Sequence, residues 1–118
     1  MSKRAWQLFV EDILESIELI QTYIERMAFD DFKKERKTID AVVRNFEIIG
    51  EASKFIPDDV KNKYQNVDWK GIVGLRNRIA HEYFDISLSI VWYIVTKELP
   101  TLKEQMKQIL GEDESLHR

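Results

Sequence analysis

The residues best suited to chemistry lie in one stretch, residues 75–84, which reads Leu-Arg-Asn-Arg-Ile-Ala-His-Glu-Tyr-Phe. It contains His81, the only histidine outside the C-terminal end, with Arg76 and Arg78 before it and Tyr83 after it. An imidazole exchanges protons near neutral pH, and guanidinium groups bind phosphate oxygens through paired hydrogen bonds. The stretch therefore predicts a site that combines proton transfer with phosphate binding.

Composition limits the classes of protein to consider. The 118 residues suit one domain, and 44% hydrophobic residues with four Gly and two Pro indicate a compact helical protein. The absence of cysteine excludes disulfides, thiolate catalysis and Cys-ligated zinc, and it favours chemistry without a metal or other cofactor. A net charge of −3 argues against binding nucleic acid through a global positive field, so any RNA contact must be local.

Neither an export signal nor an uncharged apolar run of about 18 residues is visible, so we expect a cytoplasmic protein with no membrane contact. We assign residues 1–110 to a single helical domain and residues 111–118 to a flexible C-terminal tail.

Apolar residues recur at three- and four-residue steps, which predicts an all-α bundle of about five helices running up and down. The first helix is predicted from Trp6 to Met27 and the second from Ile39 to Phe55, with a turn marked by Asp30 and Asp31 between them. A short third helix follows Pro57 and runs through Tyr64, its first-turn carboxylates suiting the helix dipole.

Asp68 is predicted to cap a fourth helix that begins at Trp69 and carries the Arg/His stretch towards Phe84. Ser87 is predicted to cap the last helix, in which Pro100 should cause a kink near residues 96–99 without ending the helix.

Three glycines within helical patterns indicate close approach of helices, although Gly71 and Gly74 could instead weaken a helix start; the three are Gly50, Gly71 and Gly74. Glu51 lies in an apolar stripe and is interpreted as structural. It could pair with Arg44, Arg76 or Arg78, or face water.

Helical geometry restricts how the site can be assembled. Asn77 and His81 share a face, whereas Arg76 and His81 diverge by roughly 140° on an ideal helix. Arg76 and Tyr83 return to within about 20° of each other, so Tyr83 either borders the same cleft or belongs to the core. A helix distortion, the long reach of Arg76 or a second copy of the chain would each bring the groups together. We favour a symmetric homodimer.

The stretch and its surroundings resemble the HEPN superfamily, and within it the HepT-like proteins. The motif Arg-x4-His-x-Tyr is present as Arg76, His81 and Tyr83, and the resemblance extends over nearly the whole chain. Further matches are Arg44-Asn45, Ile48-Ile49-Gly50-Glu51-Ala52 and Leu99-Pro100.

This resemblance implies a metal-independent endoribonuclease toxin of a type VII-like toxin–antitoxin system, active on RNA in a composite cleft of a homodimer. His81 would transfer protons and Arg76 would bind the phosphate. Asn77 would orient either His81 or the phosphate. A nucleotidyltransferase antitoxin of the MntA type would neutralise the toxin by adenylylating Tyr83. The alternative is a non-catalytic helical dimerisation module that binds substrate for a partner nucleotidyltransferase.

Overall fold

The computed structural model describes residues 5–75, 77–80 and 84–116, and within these ranges it contains helices and no strand. The all-α prediction is confirmed, but the chain is divided into more segments than the five expected. The segments are α1 (Trp6–Tyr23), α2 (Phe29–Lys34), α3 (Arg36–Lys54), α4 (Asp58–Lys63), α5 (Trp69–Val73), α6 (Asn77–Ala80), α7 (Phe84–Tyr93), a π-helical segment (Ile94–Glu98) and α8 (Leu99–Leu116).

The core lies between the three long helices, with α1 packed against α3 on one side and α8 on another. Each contributes an apolar stripe at helical spacing, as the sequence predicts. The fully buried members include Val10, Ile13, Ile17 and Ile20 of α1, Val42, Phe46 and Ile49 of α3, and Met106 and Ile109 of α8. None of the described helices is both long and apolar enough to cross a bilayer.

The link between α1 and α3 differs from the prediction. Helix α1 ends at Tyr23, short of Met27, because Arg26 adopts a left-handed conformation (φ 66°) that an α-helix cannot contain. The expected turn at Asp30 and Asp31 is instead the first turn of α2, where Asp31 accepts a hydrogen bond from the Ala28 N–H at 2.8 Å. Phe32 anchors this short helix in the core, its ring 5.2 Å from that of Trp92.

The predicted continuous helix from Trp69 to Phe84 is wrong. Asp68 caps α5 as expected, accepting from the Gly71 N–H at 3.1 Å, but α5 ends at Val73. The Leu75 N–H then bonds the Ile72 carbonyl three residues back, which tightens the chain into a turn and buries Leu75. Within the candidate stretch, residues 77–80 therefore form a separate short helix, α6.

The C-terminal helix begins earlier than predicted and changes pitch along its length. Because α7 already starts at Phe84, Ser87 lies inside it and is not an N-cap. Pro100 has no N–H to donate, and just before it the Leu99 N–H reaches the Ile94 carbonyl, five residues back. The predicted disruption thus takes the form of a π-helical segment, after which α8 continues.

Helix α8 runs through Gly111 to Leu116, so the predicted tail is helical for most of its length. Its flexibility stays a prediction.

Gly50 confirms the expected close approach between helices. A Cβ placed there would stand 3.2 Å from the Val73 carbonyl oxygen and 3.4 Å from that of Ile72, on the last turn of α5. The hydrogen side chain of Gly50 therefore lets the backbones of α3 and α5 meet.

We expect Gly50→Ala and Gly111→Ala to change the free energy of unfolding by different amounts, or in opposite directions. An added methyl at Gly111 meets open space, so better helix propensity should stabilise the protein by about 0.5–1 kcal/mol. The same gain at Gly50 is opposed by crowding against the carbonyl of Val73. Urea unfolding of both variants measures the difference, and an equal gain at the two positions would contradict the close packing.

Candidate functional site

The structure describes one of the four predicted site residues. Asn77 is the first residue of α6 and its side chain is exposed. Arg76, His81 and Tyr83 lie outside the described residues. The described residues next to them in the chain are Leu75, which lies in a turn, and α6 and α7, which end at Ala80 and begin at Phe84.

Asn77 borders a groove of about 400 Å³ between α1, α3 and the end of α5. The groove exists because Gly50 brings α3 against α5, which places the start of α6 beside the exposed face of α3. Its other lining residues include Phe9 and Asp12 of α1, Arg44, Glu47, Glu51 and Lys54 of α3, and Phe55 and Val73.

The charges along this groove are paired within α3. Arg44 lies 3.6 Å from Glu47, and the Lys54 ammonium donates to Glu51 at 2.9 Å. Glu51 thus pairs with Lys54 and its side chain is 65% exposed, so it largely faces water, one of the alternatives considered from the sequence. The alternative pairing with Arg76 lies outside the described residues. Both signs of charge therefore line the groove, with the carboxylate of Asp12 facing it from α1.

An aromatic pair forms one wall of the groove. The rings of Phe9 and Phe55 are stacked, with centroids 5.0 Å apart and planes 20° apart, while Phe55 remains 60% exposed. The sequence prediction placed Phe55 in the apolar stripe of α3, but α3 ends at Lys54 and the next residue turns outward. The nearby Pro57 was the signal that the helix stops here.

Arg78, the second arginine of the stretch, is bound by a carboxylate of the π-helical segment, that of Glu98. Its two terminal nitrogens donate to the two oxygens of Glu98, each at 2.8 Å. These hydrogen bonds raise the pKa of Arg78 above its ordinary value, against the opposing effect of partial burial. The guanidinium is therefore charged at every physiological pH, and its paired donors are directed to protein and not to solvent.

A family model described as ribonuclease HepT-like matches residues 13–109. The chain belongs to the HepT-like ribonuclease family. The predicted resemblance is thereby confirmed, and the matched region includes α6, the predicted motif and the α3 side of the groove.

Relatives of this HepT-like chain support the same family. A protein of Methanocaldococcus jannaschii named as a candidate RNase is 43% identical over 98% of both chains. One from Thermococcus cleftensis named "Probable ribonuclease HepT" is 37% identical over 91% of this chain and 97% of its own. A third, from Caldanaerobacter subterraneus subsp. tengcongensis and also named as a candidate RNase, is 38% identical over 89% and 94%. No solved structure matches the chain significantly.

The HepT-like chain shows no cluster of metal ligands in the part that the structure describes, where no three His, Cys, Asp or Glu side chains are grouped to hold an ion. The features that sequence reasoning missed are the stacked phenylalanines and the Arg78–Glu98 pair. The partners of that pair are twenty residues apart, and no local pattern in the sequence links them.

Proposed function

We propose that the chain is a metal-independent endoribonuclease that cuts RNA in a cleft shared by two copies. The observation that carries the proposal is the HepT-like match over residues 13–109, with Arg76 and His81 at motif spacing inside it. The exposed amide of Asn77, next in the chain to Arg76, faces a groove open to solvent.

Cleavage uses the ribose 2′-hydroxyl as the nucleophile. A base removes the hydroxyl proton, the 2′-oxygen bonds to phosphorus, and the bond from phosphorus to the 5′-oxygen breaks as that oxygen takes a proton. The products are a 2′,3′-cyclic phosphate and a 5′-hydroxyl, and DNA is spared because it lacks the nucleophile. His81 transfers the protons, and Arg76 binds the phosphate oxygens as negative charge develops on them.

A second protomer can bring an imidazole and a guanidinium to the same phosphate, which one straight helix cannot do. Arg76 and His81 differ by five positions, so on an ideal helix their side chains point about 140° apart. A second copy related by a two-fold axis can present its own imidazole to the phosphate held by the first copy's guanidinium. With two motifs in one cleft, one imidazole can act as base while the other acts as acid.

The nuclease acts as a toxin restrained by a nucleotidyltransferase antitoxin. The antitoxin transfers adenylate to the phenolic oxygen of Tyr83, two residues after His81. The added phosphate and base then occupy the space that RNA requires beside the catalytic groups.

Expression of the protein alone should arrest growth of the host, and the purified protein should cut single-stranded RNA in the presence of EDTA. The cut ends should carry 2′,3′-cyclic phosphates, detected by mass spectrometry of the fragments. A harmless protein that binds RNA without cutting it would instead favour the non-catalytic module. Cleavage that EDTA abolishes would contradict the metal-independent mechanism.

A further inference from the structure

The position of α6 determines where the proposed catalytic groups lie. Asn77 begins this helix, while Arg76 and His81 directly precede and follow it in the chain. A four-residue helix cannot maintain its own conformation in water, since isolated helices need about 12–15 residues. Contacts with the rest of the bundle must therefore fix both its place and its orientation.

A backbone hydrogen bond ties the start of α6 to the turn before it. The Arg78 N–H donates to the Gly74 carbonyl at 3.1 Å, which continues the turn after α5. Beyond that, α6 contacts α7, the element that follows it in the chain. Both of these contacts join α6 to its neighbours in the sequence, so neither one ties it to a more remote element.

The Arg78–Glu98 pair links α6 to the end of the π-helical segment, twenty residues further along the chain. Both hydrogen bonds measure 2.8 Å and join the planar guanidinium to the planar carboxylate, so they fix direction as well as distance. Glu98 is firmly placed, because it ends the π-helical segment and adjoins Leu99, which is 1% exposed in the core.

We propose that the Arg78–Glu98 pair is a positioning element that holds α6, and with it Arg76, Asn77 and His81, in the orientation required for RNA cleavage. The inference rests on the proposed function where it concerns cleavage. In this proposal Arg78 acts through its neighbours in the chain, because two of its N–H groups are already engaged by Glu98.

The effect of this pair on the cleavage rate can be measured separately from its effect on the stability of the fold. Its side chains are 36% and 39% exposed, and ion pairs of that kind contribute little to global stability. Loss of either partner should therefore change the melting temperature by less than about 5 °C. A misplacement of catalytic groups by about 1 Å, in contrast, can slow a reaction by up to about 100-fold.

A double-mutant cycle tests the proposal with Arg78→Ala, Glu98→Ala and the double variant of the full-length protein. Each single variant should lower kcat by about 10- to 100-fold with little change in KM, and the double variant should lose no more than either single one. The control is Arg36→Ala, which breaks another exposed ion pair, with Asp40 at 3.1 Å, and should keep wild-type activity. Undiminished kcat in the single variants, or losses that multiply in the double one, would overturn the proposal.

A second measurement does not depend on catalysis. The chain has two histidines, so NMR of the imidazole Hε1 protons gives two signals, which His117→Ala assigns. Glu98→Ala should shift the signal of His81 and leave that of His117 in place. If the wild-type protein cuts no RNA, the proposed function fails, yet a shifted His81 signal still supports the positioning role. An unmoved His81 signal in Glu98→Ala would overturn that role whether or not the protein cleaves.

Discussion

Replacing His81 with Ala should lower the rate of RNA cleavage by about 10² to 10⁴-fold, the usual contribution of a general acid or base. The variant should still bind RNA, because the guanidinium of Arg76, to which we assign phosphate binding, remains. Single-turnover cleavage of a labelled RNA measures the rate, and gel shift or fluorescence anisotropy measures binding. The loss should be accompanied by disappearance of growth arrest when the variant is expressed alone.

Matched controls are available within the chain. His117→Ala removes the other histidine, near the C-terminus, and should cleave at the wild-type rate. Arg76→Ala should also abolish cleavage but weaken RNA binding, whereas Arg36→Ala, which removes a largely exposed arginine of α3, should do neither. Full activity in His81→Ala, with His117→Ala equally active, would show that no imidazole of the protein takes part in the reaction.

The sequence was sufficient to predict the long helices, because their burial is periodic. In α1 the fully buried Val10, Ile13, Ile17 and Ile20 recur at steps of three and four, and α3 repeats the pattern. The prediction failed where one contact decides the outcome. The left-handed residue Arg26 ends α1, and the turn that buries Leu75 breaks the expected fourth helix, although both sequences continue a helical pattern.

For the candidate site, residue types were enough to identify the stretch 75–84, but they did not predict which side chains surround it. The motif spacing identified the family, which the match over residues 13–109 confirms. The partner of Arg78 could not be found this way, because Glu98 is brought to it by the path of the chain through α7 and the π-helical segment. The groove beside Asn77 depends in the same way on α3 and α5 meeting at Gly50.

Tyr83→Phe should keep the toxic activity but escape neutralisation by the nucleotidyltransferase. The substitution keeps the aromatic ring but removes the hydroxyl proposed to accept adenylate. The variant should therefore cleave RNA and arrest growth even when the nucleotidyltransferase is co-expressed. In the proposed reaction the phenolic oxygen attacks the α-phosphorus of ATP and pyrophosphate leaves, which adds one phosphodiester charge two residues from His81. Wild-type protein co-expressed with the enzyme should therefore be inactive and heavier by one or more adenylate groups in its intact mass.

Tyr93→Phe provides the matched control for this experiment. Tyr93 is 58% exposed at the end of α7, so a modifying enzyme can reach it. A modification that depended on exposure alone would use Tyr93 and be lost in that variant. We expect Tyr93→Phe to gain the same mass as the wild type and to lose its nuclease activity in the same way. Tyr83→Phe should gain no mass. Adenylate found on the Tyr83→Phe variant would place the acceptor elsewhere, and the regulatory part of the proposed function would then be wrong even if the nuclease part were correct.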